Sequence, residues 1–456
     1  MFDTPPPSPP KGPTTGPIHY QTPAAEFDQS DLSSLKPFML MQMLRNVTTD
    51  GFVVQDPVNP QNWSLPGCVI AAPSFPANTP GVDQDYVFNW VRDAAITAIE
   101  IAKAGLPTID GGIANLIDYV TFADLCQTNA APTKGHACFT IYGQPRPWTE
   151  QSDGPALQTV AILAAYPLLD KPTQAKAVAL IGRNLDYLLG AYQEPTTNLW
   201  EEHSGLSFFA RSAQLRCFQE IAANKIGIKP PSGLKAAIAW LQTALASHWN
   251  GSLYVSLMVP GGGPPTSVAE GYDANIDIVS ASLYGAIPCT DTKLLATAAV
   301  LRSQWDDTSS AFFYPINASD KALGVGPLFG RYPDDVYDGD VADPVPGRHP
   351  WALCTANFAE LNYTLAKAIQ TSGKVPLDDL STPFFAQVGV TAQTSAADAV
   401  TALRGAADAM LRAVLYHSDH YELSEQYDGV SGFERSVRNL TWSYAAFLSA
   451  LRARDA

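Results

Sequence analysis

The chain is short of charge, of histidine and of long apolar runs, and each shortage removes a class of protein. Charged residues make up 16% of the 456 residues and hydrophobic ones 46%, which excludes a disordered polyelectrolyte and leaves a globular protein with a large core. Basic residues are the scarcer sign, 28 Lys and Arg against 44 Asp and Glu, for a formal net charge of -16. Such a surface repels phosphate backbones and anionic lipid, so neither nucleic acid nor a membrane is an expected partner, whereas a neutral sugar is compatible with it. Seven histidines and six cysteines without a CxxC pair leave no Cys/His zinc set. No stretch reaches the ~18–20 uninterrupted apolar residues of a membrane span. The N-terminus lacks a basic stretch followed by an apolar one, so no signal peptide is predicted.

What is there is helical. Residues 1–25 carry eight prolines, and segment 1–30 is expected to be extended and unpacked. Structure is expected to begin at Asp31–Leu35, with Asp and Ser capping a helix through Phe38–Leu44. Trp90–Ala104 places Val91, Ala95, Ile96, Ala98 and Ile99 at helical spacing. Further helices are predicted at 111–127, 153–168, 172–192, 206–224, 233–248, 275–286, 291–303, 350–370, 394–417 and 440–453. Leu253–Val259 is the clearest alternating strand, and long Gly/Pro loops fall at 260–272 and 315–350. A solenoid would show a repeat of ~20–50 residues, and none is visible. A closed toroid of six inner and six outer helices, with loops building a site at one end, is the expected architecture, as one domain over 31–456. Cys126 and Cys138 are close enough to close a short loop as a disulfide; free thiols are the alternative.

Five constellations carry chemistry. In Asn198-Leu199-Trp200-Glu201-Glu202-His203, a carboxyl against an indole loses solvation and keeps its proton, as a general acid must; the bland reading is an acidic helix N-terminus. In Leu423-Ser424-Glu425-Gln426-Tyr427-Asp428, a solvated, hydrogen-bonded carboxylate is expected to stay ionised and serve as a base; the bland reading is a polar loop. In Tyr86-Val87-Phe88-Asn89-Trp90-Val91-Arg92-Asp93, a charged pair entering an apolar helix needs a partner, either sugar hydroxyls or each other. Gly330-Arg331-Tyr332-Pro333-Asp334-Asp335-Val336-Tyr337-Asp338-Gly339-Asp340 is Asp-rich; sugar binding or loop solvation is favoured there over Ca²⁺ or Mg²⁺, and a terpene-cyclase reading lacks its second metal segment. In Pro147-Trp148-Thr149-Glu150-Gln151-Ser152-Asp153-Gly154-Pro155, Asp153 is expected to cap a helix, with Trp148 stacking on a ligand or packing.

Taken together, the segments GCVIAAPS, DYVFNWVRDAA, PWTEQSDGPALQ, NLWEEHSGLSFF, GRYPDDVYDGD, HPWALCTANFAE, LSEQYDGVSG and VRNLTWSYAAFL resemble glycoside hydrolase family 15, in its fungal-type glucoamylase form. The resemblance spans roughly 35–453. It implies an all-α fold, an (α/α)6 barrel, and exo-acting hydrolysis of α-1,4 and more slowly α-1,6 bonds of starch, glycogen or malto-oligosaccharides with release of β-glucose. It implies Glu201 as general acid and Glu425 as general base, with Glu202 holding the next sugar and Arg92 and Asp93 clamping the terminal glucose. Arg331 would form the opposite wall, Tyr86 would lie by the reacting carbon, and Trp148, Trp200, Trp351 and Trp442 would shape the pocket. Trp90, Asp334, Asp335, Tyr337 and Gln426, which fall in the same motifs, complete the expected substrate-binding set. No cofactor or metal is implied, a monomer is expected, secretion is favoured, and no starch-binding module is expected. Inverting enzymes hold their two carboxyls ~6.5–9.5 Å apart, with room for one water.

The chain departs from the family pattern in three places. The spacing from Trp148 to Asp153 is one residue shorter, Asp338–Arg348 looks like an insertion, and Asn198 stands where Asp is common. All three are expected to touch the outer sugar sites and to affect chain-length preference. A same-fold enzyme acting on trehalose, dextran or isomalto-oligosaccharides is the alternative, and a non-catalytic carbohydrate-binding protein a remoter one.

Overall fold

A computed structural model describes residues 29–57, 59–73, 86–104, 112–129, 131–261, 263–339 and 347–456. The proline-rich segment lies outside these up to residue 28. Fifteen helices follow among the described residues: α1 Gln29–Ser34, α2 Lys36–Leu44, α3 Val91–Lys103, α4 Gly112–Thr128, α5 Asp153–Ala165, α6 Lys171–Ala191, α7 Phe208–Ala222, α8 Leu234–Ala246, α9 Asp277–Leu283, α10 Thr292–Asp306, α11 Pro315–Leu323, α12 Ala352–Ser372, α13 Thr382–Ala386, α14 Ala396–His417 and α15 Thr441–Asp455. Contacts run from α3 to α5, α5 to α7, α7 to α9, α9 to α12, α12 to α15 and α15 back to α3, so these six helices close a ring. Outside it, α2 packs on α15, α4 on α3, α6 on α5, α8 on α7, α10 on α9 and α14 on α12. This is the (α/α)6 barrel.

Burial separates the inner helices from the outer ones. Every residue of α3 from Val91 to Ile101 is buried, as is every residue of α12 from Ala352 to Tyr363. Polar members of these helices, such as Arg92, Asp93, Glu100 and Glu360, are buried with the apolar ones, so it is all-round burial by neighbouring helices and loops that marks the inner ring. Outer helix α6 instead buries Ala177, Leu180, Ile181, Leu185 and Leu188, a single stripe at three- and four-residue spacing. Outer α6, α10 and α14 begin at side-chain caps, Asp170, Asp291 and Ser395, which satisfy free N–H groups. Inner α3, α12 and α15 have none; Val91 N–H donates to the Ala137 carbonyl, Ala352 N–H to that of Glu425 and Thr441 N–H to that of Ala71. Loops carrying site residues are thereby stitched to the helix N-termini at one end of the ring.

The strands are short antiparallel pairs in these loops: β1 Asn89–Trp90 with β2 Cys138–Phe139, β3 Thr196–Thr197 with β4 Ser204–Ser207 and then β5 Leu257–Met258, and β6 Gln426–Tyr427 with β7 Glu434–Arg435.

Several expectations need correction. The strand expected over 253–259 shrinks to β5 and a bridge at Tyr254, because only Leu206 and Ser207 of β4 are there to pair with it. Loop 315–350 contains α11, which starts on a proline. Gln29 and Ser30, expected to be extended, already belong to α1. Cys126 and Cys138 are free and buried, as is Cys68. No described helix is long and apolar enough to cross a membrane.

Candidate active site

Loops at the N-terminal ends of α3, α12 and α15 surround a cavity of about 410 Å³, within the size range of ligand sites. Tyr86, Trp90, Arg92, Asp93, Trp148, Trp200, Glu201, Glu202, Arg331, Tyr337, Trp351, Glu425 and Trp442 all line it. Asp334, Asp335 and Gln426 do not.

Glu201 sits in the turn between β3 and β4, not at a helix N-terminus, and its φ is +66°. A left-handed backbone at a non-glycine residue costs about 1–3 kcal/mol and persists only where its surroundings enforce it. Asn198 does the enforcing. It is buried, its Oδ1 accepts the N–H groups of Glu202 at 3.0 Å and His203 at 3.1 Å, and its carbonyl accepts the Glu201 N–H at 3.1 Å. Asn198 therefore shapes the turn from behind, rather than touching an outer sugar site as expected. The Glu201 carboxyl accepts from Trp148 Nε1 at 2.6 Å and from Arg92 Nη2 at 3.3 Å. Burial raises its pKa, and Arg92 and Trp148 oppose the rise. Trp148 is 41% exposed, which puts Glu201 near the rim.

Glu425 is more deeply set than its sequence neighbours suggest. It is 3% exposed, so the expectation of a solvated carboxylate is wrong. Burial pushes its pKa up to about 7, while hydroxyl donors Ser436 and Tyr86 and the Arg331 charge pull it down. Tyr86 donates to Oε1 at 2.9 Å and Ser436 to Oε2; Tyr86 also bonds Tyr337 at 2.9 Å. Gly339 backs this carboxylate: a Cβ there would lie 2.9 Å from Glu425 Oε2 and 1.9 Å from Ser436 Oγ.

Arg92 is anchored by Gln151 at 3.0 Å and Asp153 at 3.3 Å. Asp153 is thus the first residue of α5 and an Arg92 partner, not the helix cap; Ser152 occupies the cap position. Arg92 Nε and Asp93 Oδ2, 3.6 Å apart, are both buried without a hydrogen bond among the described residues. Buried polar atoms rarely stay unpaired without reason, and both residues face the cavity. Asp93 is pushed up to about 6, chiefly by burial and against the pull of Arg92.

On the opposite wall, Arg331 makes a bidentate pair with Asp335, both bonds 2.7 Å, and meets Glu202 at 2.8 Å. Glu202 also accepts from Tyr272 and Tyr332, each at 3.0 Å. Asp335 serves Arg331 from behind, exposed Asp334 pairs with Arg348 at 3.0 Å, and Asp338 pairs with Arg435. Gln426 holds the loop through the Gly339 N–H at 2.9 Å and the Tyr337 carbonyl at 2.8 Å. Asp340 lies outside the described residues, as does most of the insertion-like stretch.

Two residues were missed. Arg146 lines the cavity, 4.0 Å from the Phe88 ring centroid and 4.2 Å from that of Trp148; its place in Arg-Pro-Trp was the available signal. Ser436 gave none, because only the β6–β7 pairing brings it back to Glu425.

The family model for glycosyl hydrolases family 15 matches residues 38–452. A glucoamylase of Blastobotrys adeninivorans is 26% identical over 438 residues, covering 86% of this chain and 68% of that protein. Glucoamylase 1 of Rhizopus oryzae is 28% identical over 426 residues, with the same coverages of 86% and 68%. The solved structure of a family 15 glucoamylase from Hypocrea jecorina superposes with a TM-score of 0.76 at 25% identity, covering 93% of this chain and 72% of that one.

Proposed function

The chain belongs to glycosyl hydrolases family 15, and from that premise we propose that it is an inverting, exo-acting glucoamylase releasing β-glucose from the non-reducing ends of α-1,4 and, more slowly, α-1,6 glucans. One observation carries the reading. Glu201 and Glu425, on different loops with separate donors, line the same cavity as Arg92 and Asp93, whose facing Nε and Oδ2 make no hydrogen bond among the described residues.

In this reading Glu201, nearer the rim, gives its proton to the glycosidic oxygen as the bond from the anomeric carbon breaks. A water on the other face forms the new carbon–oxygen bond while Glu425 takes its proton. The aglycone leaves with a hydroxyl, the glucose is β, and solvent exchange returns one proton from Glu425 to Glu201. Arg92 and Asp93 hold hydroxyls of the terminal glucose, which positions the bond for attack. Glu202 and Arg331 hold the next unit. Trp442 of the cavity wall bonds the buried Tyr284 hydroxyl at 3.4 Å, which supports a cavity closed at its base that takes a chain end first. The cavity residues span positions 71 to 442, which supports a single catalytic unit over 31–456.

Proton NMR of maltose digestion tests the reading: the β-anomer should appear first. First release of α-glucose, or turnover of trehalose or isomaltose in preference to maltose, overturns it; binding without turnover would instead make it a carbohydrate-binding protein.

A further inference from the structure

Away from the catalytic cavity, α7, α8 and the loop after β5 enclose a second pocket of about 260 Å³. Its lining includes Leu206, Arg211, Trp240, Thr243, Ser247 and Met258. Arg211 is the unusual member. It is only 5% exposed, yet among the described residues it pairs with no carboxylate, unlike Arg92, Arg331, Arg435 and Arg452. Its single hydrogen bond among the described residues is to His248, at 3.0 Å. The His248 ring can only act as acceptor there. Its other nitrogen lies 2.6 Å from the Val255 carbonyl and must carry the proton, and burial pushes the ring pKa down to about 3. Burial also pulls the Arg211 guanidinium down to about 10, which leaves it cationic at neutral pH. The ring of Trp240 lies 5.2 Å from it.

A guanidinium has five N–H donors, and a buried charge normally has a counter-charge. Here one donor is used by a neutral ring and the charge faces an open pocket. We propose that this pocket is a binding site for a small oxyanion, a phosphate or carboxylate group whose body packs against Trp240, Met258 and Leu206. Charge-assisted bonds from a guanidinium suit both oxyanions. Thr243 in the last turn of α8 and Ser247, which caps its C-terminus, add hydroxyls four residues apart. Their protons go to the Ala239 and Ala244 carbonyls, so their oxygens remain free to accept from a protonated phosphate or a hydroxyl on the ligand.

Isothermal titration calorimetry of the full chain with inorganic phosphate, glucose 1-phosphate and benzoate tests the site. At least one should bind saturably, and the tighter class tells phosphate from carboxylate. Arg211→Gln should weaken binding by at least about tenfold. Thr243→Glu, an exposed position that leaves Arg211 in place, should do the same by supplying the missing carboxylate internally, and both variants should hydrolyse maltose at the wild-type rate. The site is overturned if none of the three anions binds at millimolar concentration, or if Thr243→Glu binds as tightly as wild type. Because the readout is binding, a failed glucoamylase assay leaves the result intact.

Discussion

The barrel carries two clusters of buried carboxylates and arginines, one where the loops meet the N-terminal ends of the inner helices and one deeper among the helices. At the N-terminal end, Arg92, Asp93, Glu201 and Glu425 surround the cavity. About two turns further along α3, Glu100 meets Arg452 of α15 at 2.7 Å, and Glu360 of α12 accepts from Ser449 at 2.7 Å. Burial pushes Glu360 up to about 7, the same value as Glu425. A raised carboxyl pKa therefore does not mark the site by itself, although such shifts do gather at active sites. What separates the clusters is space and strain. The upper one lines a cavity and includes a left-handed glutamate; the lower one is packed among helices and helps hold the ring shut.

The sharpest way to break this contrast is to neutralise matched carboxyls. Glu201→Gln and Glu425→Gln should each lower kcat on maltose by ~10²–10⁴-fold, the usual worth of a general acid or base, whereas Glu360→Gln should leave kcat within about twofold, since it contributes no proton to the reaction. Loss of activity in Glu360→Gln comparable to Glu425→Gln would erase the distinction. Next in size is Asn198→Ala. With the turn unclamped, kcat should fall about tenfold, equivalent to ~1.4 kcal/mol, with KM nearly unchanged; an unaltered kcat would show that the left-handed Glu201 is held by other contacts.

At the lower end the effect should be on stability. Arg452→Gln leaves Glu100 unpaired and should cost about 1–3 kcal/mol in thermal or urea unfolding. That is less than a fully buried pair, because the Arg452 side chain is 34% exposed. The smallest effect is a pH shift. Ser436 donates to ionised Glu425, so Ser436→Ala should raise its pKa and move the acid limb of kcat/KM to higher pH. Linkage gives the sign for stability. A carboxyl raised from its usual 4.5 to about 7 holds its proton more tightly in the folded state. Its contribution is full below 4.5 and is lost as pH rises through about 7. Glu360→Gln should flatten that decline across the window; an unchanged slope would count against the shift.

Much of the fold and site was legible because it is written locally. Most helices, including those near 90–104 and 350–370, were visible as segments of helical spacing, but which of them lie inside the ring was not, because their buried faces include Arg92, Asp93, Glu100 and Glu360. The motifs around Glu201 and Glu425 single out the two carboxyls proposed as acid and base, by resemblance. What was illegible is non-local. Asp153 reads as a cap because it precedes Gly-Pro, yet Arg92, sixty-one residues earlier, claims its carboxylate. Asp334 and Asp335 are adjacent in the chain, but one is exposed beside Arg348 and the other buried under Arg331.

The amino-acid sequence alone determined most of the helices and the residue types available for catalysis, since helix periodicity and side-chain chemistry depend on neighbours a few residues away. Tertiary structure decided that Glu425 is buried rather than solvated, that Ser436 stands against it, and that Arg211 lines a second pocket without a carboxylate partner among the described residues. Those outcomes turn on dielectric surroundings and through-space distance, which chain neighbours do not specify.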